Sequence, residues 1–280
     1  MAVYVRREEG EMSAVTITYA DFLKSKVRRF DPIGFQADDI HPILYPFQVA
    51  ITRWAIRKGR AAIFAGCGMG KTLMQIEWAK HMTHPGERAL VLAPLCVAEQ
   101  TIEEGRRIGA KIVKVSAPTN DRIQITNYEK LSHFVGADYK AIVLDESSIL
   151  KHVDGKTRTI LLNEFTHIPF RLCCTATPSP NDIAEIGNHS QFLGVLSHSE
   201  MLATFFVHDE LEWRLKGHAA DEFWKWLASW CVYVRKPQDI GYDDNRFDLP
   251  PINMHEHKIK ADFIQEGFLF AVPVSGLNGR

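Results

Sequence analysis

The feature that most constrains this chain is the stretch 61–72, with the sequence AAIFAGCGMGKT. It begins with a short apolar run, which is typical of a buried strand. Lys71 and Thr72 open an amphipathic segment that predicts a helix, and glycines alternate in the loop before it, at Gly66, Gly68 and Gly70. A strand, a glycine-rich loop and a helix N-terminus expose several backbone N–H groups to an anion. The stretch therefore predicts a phosphate-binding loop.

The residues of this loop meet the needs of a nucleoside triphosphate with Mg²⁺. Glycines let the backbone curve around phosphates, the Lys71 ammonium can reach the β- and γ-phosphates, and the Thr72 hydroxyl can ligate Mg²⁺. The alternative is a glycine-rich turn that merely follows a strand, and Ala65 stands where the usual motif has glycine. We expect the whole loop to bind the nucleotide: Gly66, Cys67, Gly68, Met69, Gly70, Lys71 and Thr72.

The composition is that of an ordinary globular protein, with 46% hydrophobic and 24% charged residues among 280. Its 33 basic and 34 acidic residues leave a net charge of −1, so any nucleic-acid surface must be a local patch. No apolar run has the length of a membrane span or the form of a signal peptide, so we expect no membrane partner. The five cysteines lack metal-site spacing, and we expect small buried thiols.

Strand-like and helix-like segments alternate through most of the chain. Further apolar strands are predicted at 88–94, 111–116, 122–127, 140–145 and 170–175. This alternation predicts an α/β domain with a mainly parallel central sheet flanked by helices and with ligand sites at the carboxyl ends of the strands. Near the carboxyl end, an apolar stripe at helical spacing predicts a core-facing helix in a helical extension, through Phe223, Trp226, Leu227 and Trp230.

A second motif places two carboxylates, Asp145 and Glu146, at the end of the predicted strand 140–145. Carboxylates beside a buried strand are costly unless a cation or another partner compensates them. Asp145 is suited to the Mg²⁺ shell together with Thr72, and Glu146 can orient and polarise an attacking water. Two acidic residues could also simply begin a helix. Several βα units lie between Lys71 and this pair, as is typical of a nucleotide-binding domain. We therefore assign Lys71, Asp145 and Glu146 to catalysis.

The ordered motifs resemble those of superfamily 2 helicases and translocases, most closely the Swi/Snf-type and phage-encoded relatives. The resemblance rests on the loop form Ala-x-x-Gly-x-Gly-Lys-Thr, on the Asp-Glu pair and on the strand end Thr175, Ala176 and Thr177. It spans residues 44–237 and implies the first RecA-like lobe of an ATP-dependent DNA helicase or translocase, an ATP hydrolase of the bacterial or phage-infected cytoplasm that uses ATP and Mg²⁺. The sequence departs from the family at Ser147-Ser148, where Ala-Asp, Ala-His or Gly-His is commonest.

The same resemblance implies roles for residues outside the two specific motifs. Gln48, shortly before the loop, corresponds to the glutamine that reads adenine, and Phe35 is the candidate for stacking on the base. Thr175, Ala176 and Thr177 correspond to the segment that links the γ-phosphate site to the nucleic-acid site. Short hydroxyls suit that task because they can change partners between carboxylates and backbone.

Nucleic-acid contacts are implied at strand ends further along the chain. The resemblance assigns them to Pro94, Thr126, Asn127, Tyr128 and Lys151. Two alternatives without a functional role stay open. A plain strand-to-helix connection or a solvated basic loop would have much the same sequence as a nucleic-acid contact. In the segment that begins at Pro94, Thr101 stands where the family has tryptophan. We expect DNA in preference to RNA as the partner.

The expected organisation is an N-terminal extension (1–40), a RecA-like ATP-binding domain (41–195), a helical extension (196–243), and a linker that begins a second lobe (244–280). Related motors bind ATP between two lobes, and the second lobe supplies an arginine. We therefore expect the site to be incomplete here, and a longer polypeptide or a partner to complete it. Two other functions stay open, a nucleotide-dependent DNA-binding adaptor without turnover and a P-loop phosphotransferase of another class.

Overall fold

A computed structural model describes residues 30–151, 155–209 and 213–247, the backbone of 2–6 and 12–16, and residues 254 and 256. Its strands are β1 (Ala2–Arg6), β2 (Met12–Thr16), β3 (Arg60–Ala65), β4 (Ala89–Ala93), β5 (Ile112–Lys114), β6 (Ile123–Asn127), β7 (Ala141–Asp145), β8 (Phe170–Thr175), β9 (Phe206–His208), β10 (Trp213–Leu215) and β11 (Cys231–Val234). Its helices are α1 (Pro46–Lys58), α2 (Lys71–His81), α3 (Ala98–Arg107), α4 (Lys156–Glu164), α5 (Ile186–Leu193), α6 (His198–Phe205) and α7 (Ala220–Trp230).

The main sheet has seven strands in the order β11-β3-β8-β7-β4-β6-β5, and every neighbouring pair in it is parallel. Parallel strands end at the same edge of a sheet, so the segments that follow β3, β8 and β7 emerge side by side. The segments after β4 and β6 emerge next to them on the same edge. This arrangement confirms the predicted α/β class and places the two sequence motifs on the same edge, with the end of β8 between them.

Helices cover both faces of the sheet, and side chains alternate between two cores. In β3, Ile63 belongs to the core beneath α1, α2 and α3, while Phe64 belongs to the core beneath the later helices. Val91 and Leu92 in β4 divide in the same way. Each large apolar side chain that is fully buried contributes roughly 1.5–3 kcal/mol, so these central strands form a rigid base for the loops at their ends.

The carboxyl-terminal part of the lobe contains both a predicted and an unpredicted feature. Helix α7 buries the expected stripe, Phe223, Trp226, Leu227 and Trp230, which confirms that it faces the core. Strand β11 follows at once and pairs with β3, although we expected only a helical extension and the end of the lobe there. Its short run of β-branched and aromatic residues suits an edge strand.

Outside the main sheet, β1 pairs with β2 and β9 with β10, both antiparallel. The chain divides into a unit of residues 1–247 and a second unit of residues 248–280. Most of the predicted linker and start of a second lobe (244–280) falls outside the described residues. No helix in the described part of the chain has the length and apolar character needed to span a membrane.

The cysteines are all free, and the expectation of buried thiols holds for Cys173, Cys174 and Cys231. It is wrong for Cys67 and Cys96, which are exposed. Both follow the last residue of a strand by a short distance, where the chain leaves the core for the sheet edge.

Candidate functional site

The predicted phosphate loop connects β3 to α2, with Gly70 as the residue before the helix. Gly70 has a φ of 74°, and a Cβ atom there would lie 2.3 Å from Nε2 of Gln48. Only glycine meets both conditions. At the start of the loop, the Gly66 N–H donates to the Val234 carbonyl at 2.9 Å. The unpredicted strand β11 thus holds one end of the loop, while Gln48 supports the other.

The side chain of Lys71, the predicted phosphate ligand, lies across the phosphate loop. Its Nζ donates to the carbonyl oxygens of Ala65 at 2.8 Å and Gly66 at 3.0 Å. Lys71 is also the first residue of α2, where free N–H groups and the helix dipole favour an anion. A phosphate at this helix end would take the ammonium from the two carbonyls, so the lysine needs only to exchange partners.

Gln48 is 2% exposed, and both ends of its side-chain amide are bonded. Its Oε1 accepts from the Tyr45 N–H at 2.9 Å, and its Nε2 donates to the Met69 carbonyl at 3.0 Å. The amide therefore connects the start of α1 to the phosphate loop. One further acceptor and one further donor position remain on the group, so its predicted adenine contact stays a prediction. The same holds for stacking by Phe35, whose ring is 40% exposed.

Asp145 ends β7 at the strand edge next to the loop. Burial raises the pKa of its carboxyl, the charge of Glu146 raises it further, and Gln75 and Lys71 oppose this rise. Gln75 is fully buried on α2, and neither atom of its amide has a hydrogen-bond partner of standard length among the described residues. The backbone carbonyl of Asp145 accepts from the Tyr128 hydroxyl at 2.7 Å.

These observations fit a Mg²⁺ ion with its water shell. The Thr72 hydroxyl and the Asp145 carboxylate are oxygen donors, the type that Mg²⁺ prefers. A cation would compensate the buried charge of Asp145, and a metal-bound water could provide the Gln75 amide with a hydrogen bond of standard length. The described residues form no cluster of three or more His, Cys, Asp and Glu side chains. Mg²⁺ needs none, since it binds through one or two carboxylates together with phosphates.

Glu146 connects two of the motifs at the sheet edge. Its Oε1 accepts from the hydroxyls of Ser148 at 2.7 Å and Thr175 at 2.6 Å. The Thr175 oxygen accepts in turn from the N–H of Thr177 at 3.0 Å. Oε2 has no hydrogen-bond partner among the described residues. The carboxylate is thus held through one oxygen and can present the other to a ligand.

The backbone at Glu146 has a φ of 56°, and it is the only non-glycine residue with a positive φ in the described part of the chain. Ser147, which follows it, is completely buried. The Ser147 Oγ lies 3.1 Å from Nε2 of His189 on α5. Burial lowers the pKa of His189 to about 4, so the ring is neutral near pH 7.

Beyond Glu146, an open groove of about 520 Å³ runs along the edge toward β4 and β6. Predicted nucleic-acid residues line it: Pro94, Asn127, Tyr128 and Lys151. Glu146 and Ser148 line it as well, so the groove reaches the carboxylate motif. Thr126, by contrast, is 3% exposed and is not among the residues that line the groove. Ala176 is half-buried and Thr177 exposed at the end of β8.

The basic segment beyond Lys151 divides between two uses. Arg158 on α4 faces inward, where its guanidinium donates to Oδ1 of Asn188 and Oε1 of Gln191, both at 3.2 Å. This arginine links α4 to α5. Lys151 lines the groove instead, and its predicted contact with nucleic acid stays a prediction.

Sequence analysis missed three parts of the site. Gln75 follows Lys71 by one helical turn on α2, and this spacing could have shown that the two share a face. Ser148 lies directly after the Asp-Glu motif, but its hydrogen bond to Glu146 depends on the turn at Glu146. His189 gave no signal, because nothing in the sequence connects a helix residue to Ser147.

Comparison with known proteins shows the same fold elsewhere. The sequence matches no protein-family model and no curated protein. The structure is similar to the Sulfolobus solfataricus SWI2/SNF2 ATPase core in complex with dsDNA, with TM-score 0.57, 18% identity, and coverage of 74% of this chain and 46% of that one. It is also similar to the SWI2/SNF2 ATPase core domain of the same organism, with TM-score 0.56, 20% identity, and coverage of 80% and 48%.

This chain therefore spans about half the length of the two structures that it matches. At such identities the likeness shows a shared fold. It confirms the RecA-like α/β class and, at the level of the fold, the resemblance to Swi/Snf-type ATPases that the ordered motifs indicated.

Proposed function

We propose that this chain is the ATP-binding lobe of a superfamily 2 DNA translocase or helicase, in which hydrolysis of Mg·ATP drives movement along nucleic acid. One observation carries the proposal. The phosphate loop, Asp145-Glu146 and Thr175 end three adjacent strands, β3, β7 and β8, and a groove lined by Glu146 leads from them to the strand ends at β4 and β6.

The chain's own groups account for the ground-state contacts of a triphosphate. The N–H groups at the start of α2 bind phosphate oxygens, and Lys71 transfers its hydrogen bonds from Ala65 and Gly66 to the β- and γ-phosphates. Thr72 and Asp145 would hold Mg²⁺, which neutralises phosphate charge when bound. The adenine would lie toward the Tyr45 end of α1, beside Gln48.

Glu146 supplies the group that acts on the attacking water. Thr175 and Ser148 hold its Oε1, so Oε2 can accept a hydrogen bond from a water in line with the γ-phosphate. As the water attacks the γ-phosphorus, Oε2 takes up its proton, and the bond from that phosphorus to the bridging oxygen breaks so that ADP leaves. Thr175 also bonds to the Thr177 N–H, so a change in phosphate occupancy would reach the exposed residues that follow β8.

DNA is the proposed nucleic acid, since one of the structurally similar cores is in complex with dsDNA. Its backbone would lie along the groove, in contact with Pro94, Asn127 and Lys151. We propose that a second lobe, on an adjoining segment or a partner, provides the arginine for the γ-phosphate and the other half of the nucleic-acid track.

Phosphate release tests this proposal directly. The chain of residues 1–280 should bind Mg·ATP weakly and hydrolyse it slowly, with little stimulation by single- or double-stranded DNA. Without the arginine the rate should be lower by about 10³–10⁵ than in a complete motor. A product extended to include the second lobe should show DNA-stimulated turnover. Strong DNA-stimulated turnover by residues 1–280 alone would contradict the proposed two-lobe architecture, and a failure to bind Mg·ATP would contradict the nucleotide site.

A further inference from the structure

We infer that His189 is a positioning residue for hydrolysis, because it holds Ser147 and thereby fixes the turn that aims Glu146 at the attacking water. This inference rests on the proposed function, since it concerns the same site. It adds a residue from helix α5, outside every motif, to the group that acts on the water.

The turn at Glu146 needs contacts from surrounding residues to stabilise it. A non-glycine residue with a φ of 56° is strained and keeps that conformation only when its surroundings enforce it. On the site side, Ser148 and Thr175 bind the Glu146 carboxylate itself. On the core side, Ser147 Oγ lies 3.1 Å from His189 Nε2, and the Ser147 side chain also hydrogen-bonds the Cys173 thiol in β8.

The surroundings of His189 direct its ring toward this one contact. His189 and Ser147 are both completely buried, and Nδ1 of the ring has no hydrogen-bond partner among the described residues. The ring of Phe64 packs edge-on against it, with centroids 5.1 Å apart. Phe64 lies in β3 directly before the phosphate loop, so His189 contacts the strand of one motif and the turn of the other.

The geometry separates positioning from nucleotide binding. Among the described residues, no hydrogen bond joins Ser147 or His189 to the loop that would hold the phosphates, and both side chains are completely buried. If the contact is lost, the backbone at Glu146 can relax toward an ordinary φ, which moves the carboxylate away from the water. Misplacement of a catalytic group by about 1 Å can cost about a hundredfold in rate.

The test compares Ser147→Ala, His189→Leu and the double variant in the full chain. Tyr139→Phe is the matched control, because it removes another buried hydrogen bond, from Tyr139 to Gln124 at 2.8 Å, far from Glu146. Affinity for a fluorescent ATP analogue should stay within about twofold in every variant, since positioning of the water costs no phosphate contact. Single-turnover phosphate release should fall about ten- to a hundredfold in both single variants, with no further loss in the double variant.

His189→Gln distinguishes positioning from packing. A glutamine keeps an amide that can donate or accept a hydrogen bond near the place of Nε2, whereas leucine keeps only the apolar volume. Positioning predicts faster release in His189→Gln than in His189→Leu, although leucine packs better in the buried site. A purely structural role predicts the reverse order.

The ratio of affinities for ADP–aluminium fluoride and ADP provides a second measurement when release is too slow to follow. It should fall in Ser147→Ala and His189→Leu and stay unchanged in Tyr139→Phe. Rates and ratios equal to those of Tyr139→Phe would overturn this inference alone. A lack of nucleotide binding by the unaltered chain would instead overturn the proposed function, and this inference with it.

Discussion

At the phosphate end of the sheet edge, Lys71, Gln48 and Glu146 are each held by at least two hydrogen bonds. At the open groove end, Asn127 and Tyr128 each make one side-chain hydrogen bond. Gln48 is 2% exposed, while Leu95 in the groove wall is 63% exposed. Lys151 forms no ion pair or hydrogen bond with any described residue. Chemistry needs groups fixed before the reaction, and a track along which a polymer moves needs groups that can change partners.

Glu146→Gln should have the largest effect and should act at the phosphate end alone. The amide keeps the shape and can still meet Thr175 and Ser148, but it cannot take up the proton of the water. We expect phosphate release to fall by about 10²–10⁴ while Mg·ATP affinity stays the same. Phosphate release with Glu103→Gln, an exposed acid on α3, is the control. Unchanged release in Glu146→Gln would mean that another group acts on the water.

Lys71→Ala should weaken nucleotide binding about a hundredfold, because the change removes charge-assisted hydrogen bonds to two phosphates. Lys111→Ala is the matched control, since this lysine is exposed at the opposite end of the sheet, where its partner is Asp121. Titration with a fluorescent ATP analogue measures both. Equal affinities in the two variants would end the assignment of the phosphate loop.

The two ends also differ in how well the sequence predicted them. The loop and the Asp-Glu pair were predictable because each function depends on a few adjacent residues. The loop needs a glycine with positive φ at Gly70, and the proposed hydrolysis needs paired carboxylates at a strand end. The supports of the phosphate end were not predictable, since Gln48 bonds to Met69 across 21 residues and Ser147 to His189 across 42. Such contacts depend on how helices pack on the sheet, which local patterns do not specify.

At the groove end, the sequence contains neither a specific local motif nor a pattern that reveals the long-range contacts. Its residues, such as Pro94 and Asn127, are of types that also occur in ordinary connections, so only the resemblance selected them. The structure places them along one groove, which the separate segments of the sequence could not reveal. Tyr128 shows the remaining difficulty, because a predicted contact residue donates its hydroxyl to the backbone of Asp145 and lies mostly buried.

A pH titration of stability tests the buried interior behind the phosphate end. His189 has a pKa of about 4 when folded and about 6.5 when unfolded, so between these values the unfolded chain binds more protons. Stability should therefore fall as pH decreases from about 6.5 to 4, by about 3 kcal/mol from this group. His189→Leu should lose this part of the slope. Denaturant unfolding at several pH values measures it, and identical slopes would show that His189 is not buried as a neutral ring.

Gln48→Ala should affect the loop as well as base selection. The change removes the support of the Met69 carbonyl and leaves space beside Gly70, so triphosphate affinity should fall about tenfold. Preference for ATP over GTP should fall as well if the amide reads adenine. Competition titrations separate the two effects. An unchanged ATP/GTP ratio with weaker binding of both would leave Gln48 only its role in holding the loop.

Lys151→Ala should have the smallest effect, and it acts at the groove end alone. An unpaired lysine beside a nucleic-acid backbone contributes mainly by releasing counterions, so its loss should lower DNA affinity about evenly across sequences. The slope of log affinity against log salt should become shallower by about 1, while Mg·ATP binding stays the same. Anisotropy titrations of labelled DNA at several salt concentrations measure the slope, with Lys111→Ala as the control at the opposite end of the sheet. An equal slope in both variants would remove Lys151 from the track and leave the groove without a basic contact among its described residues.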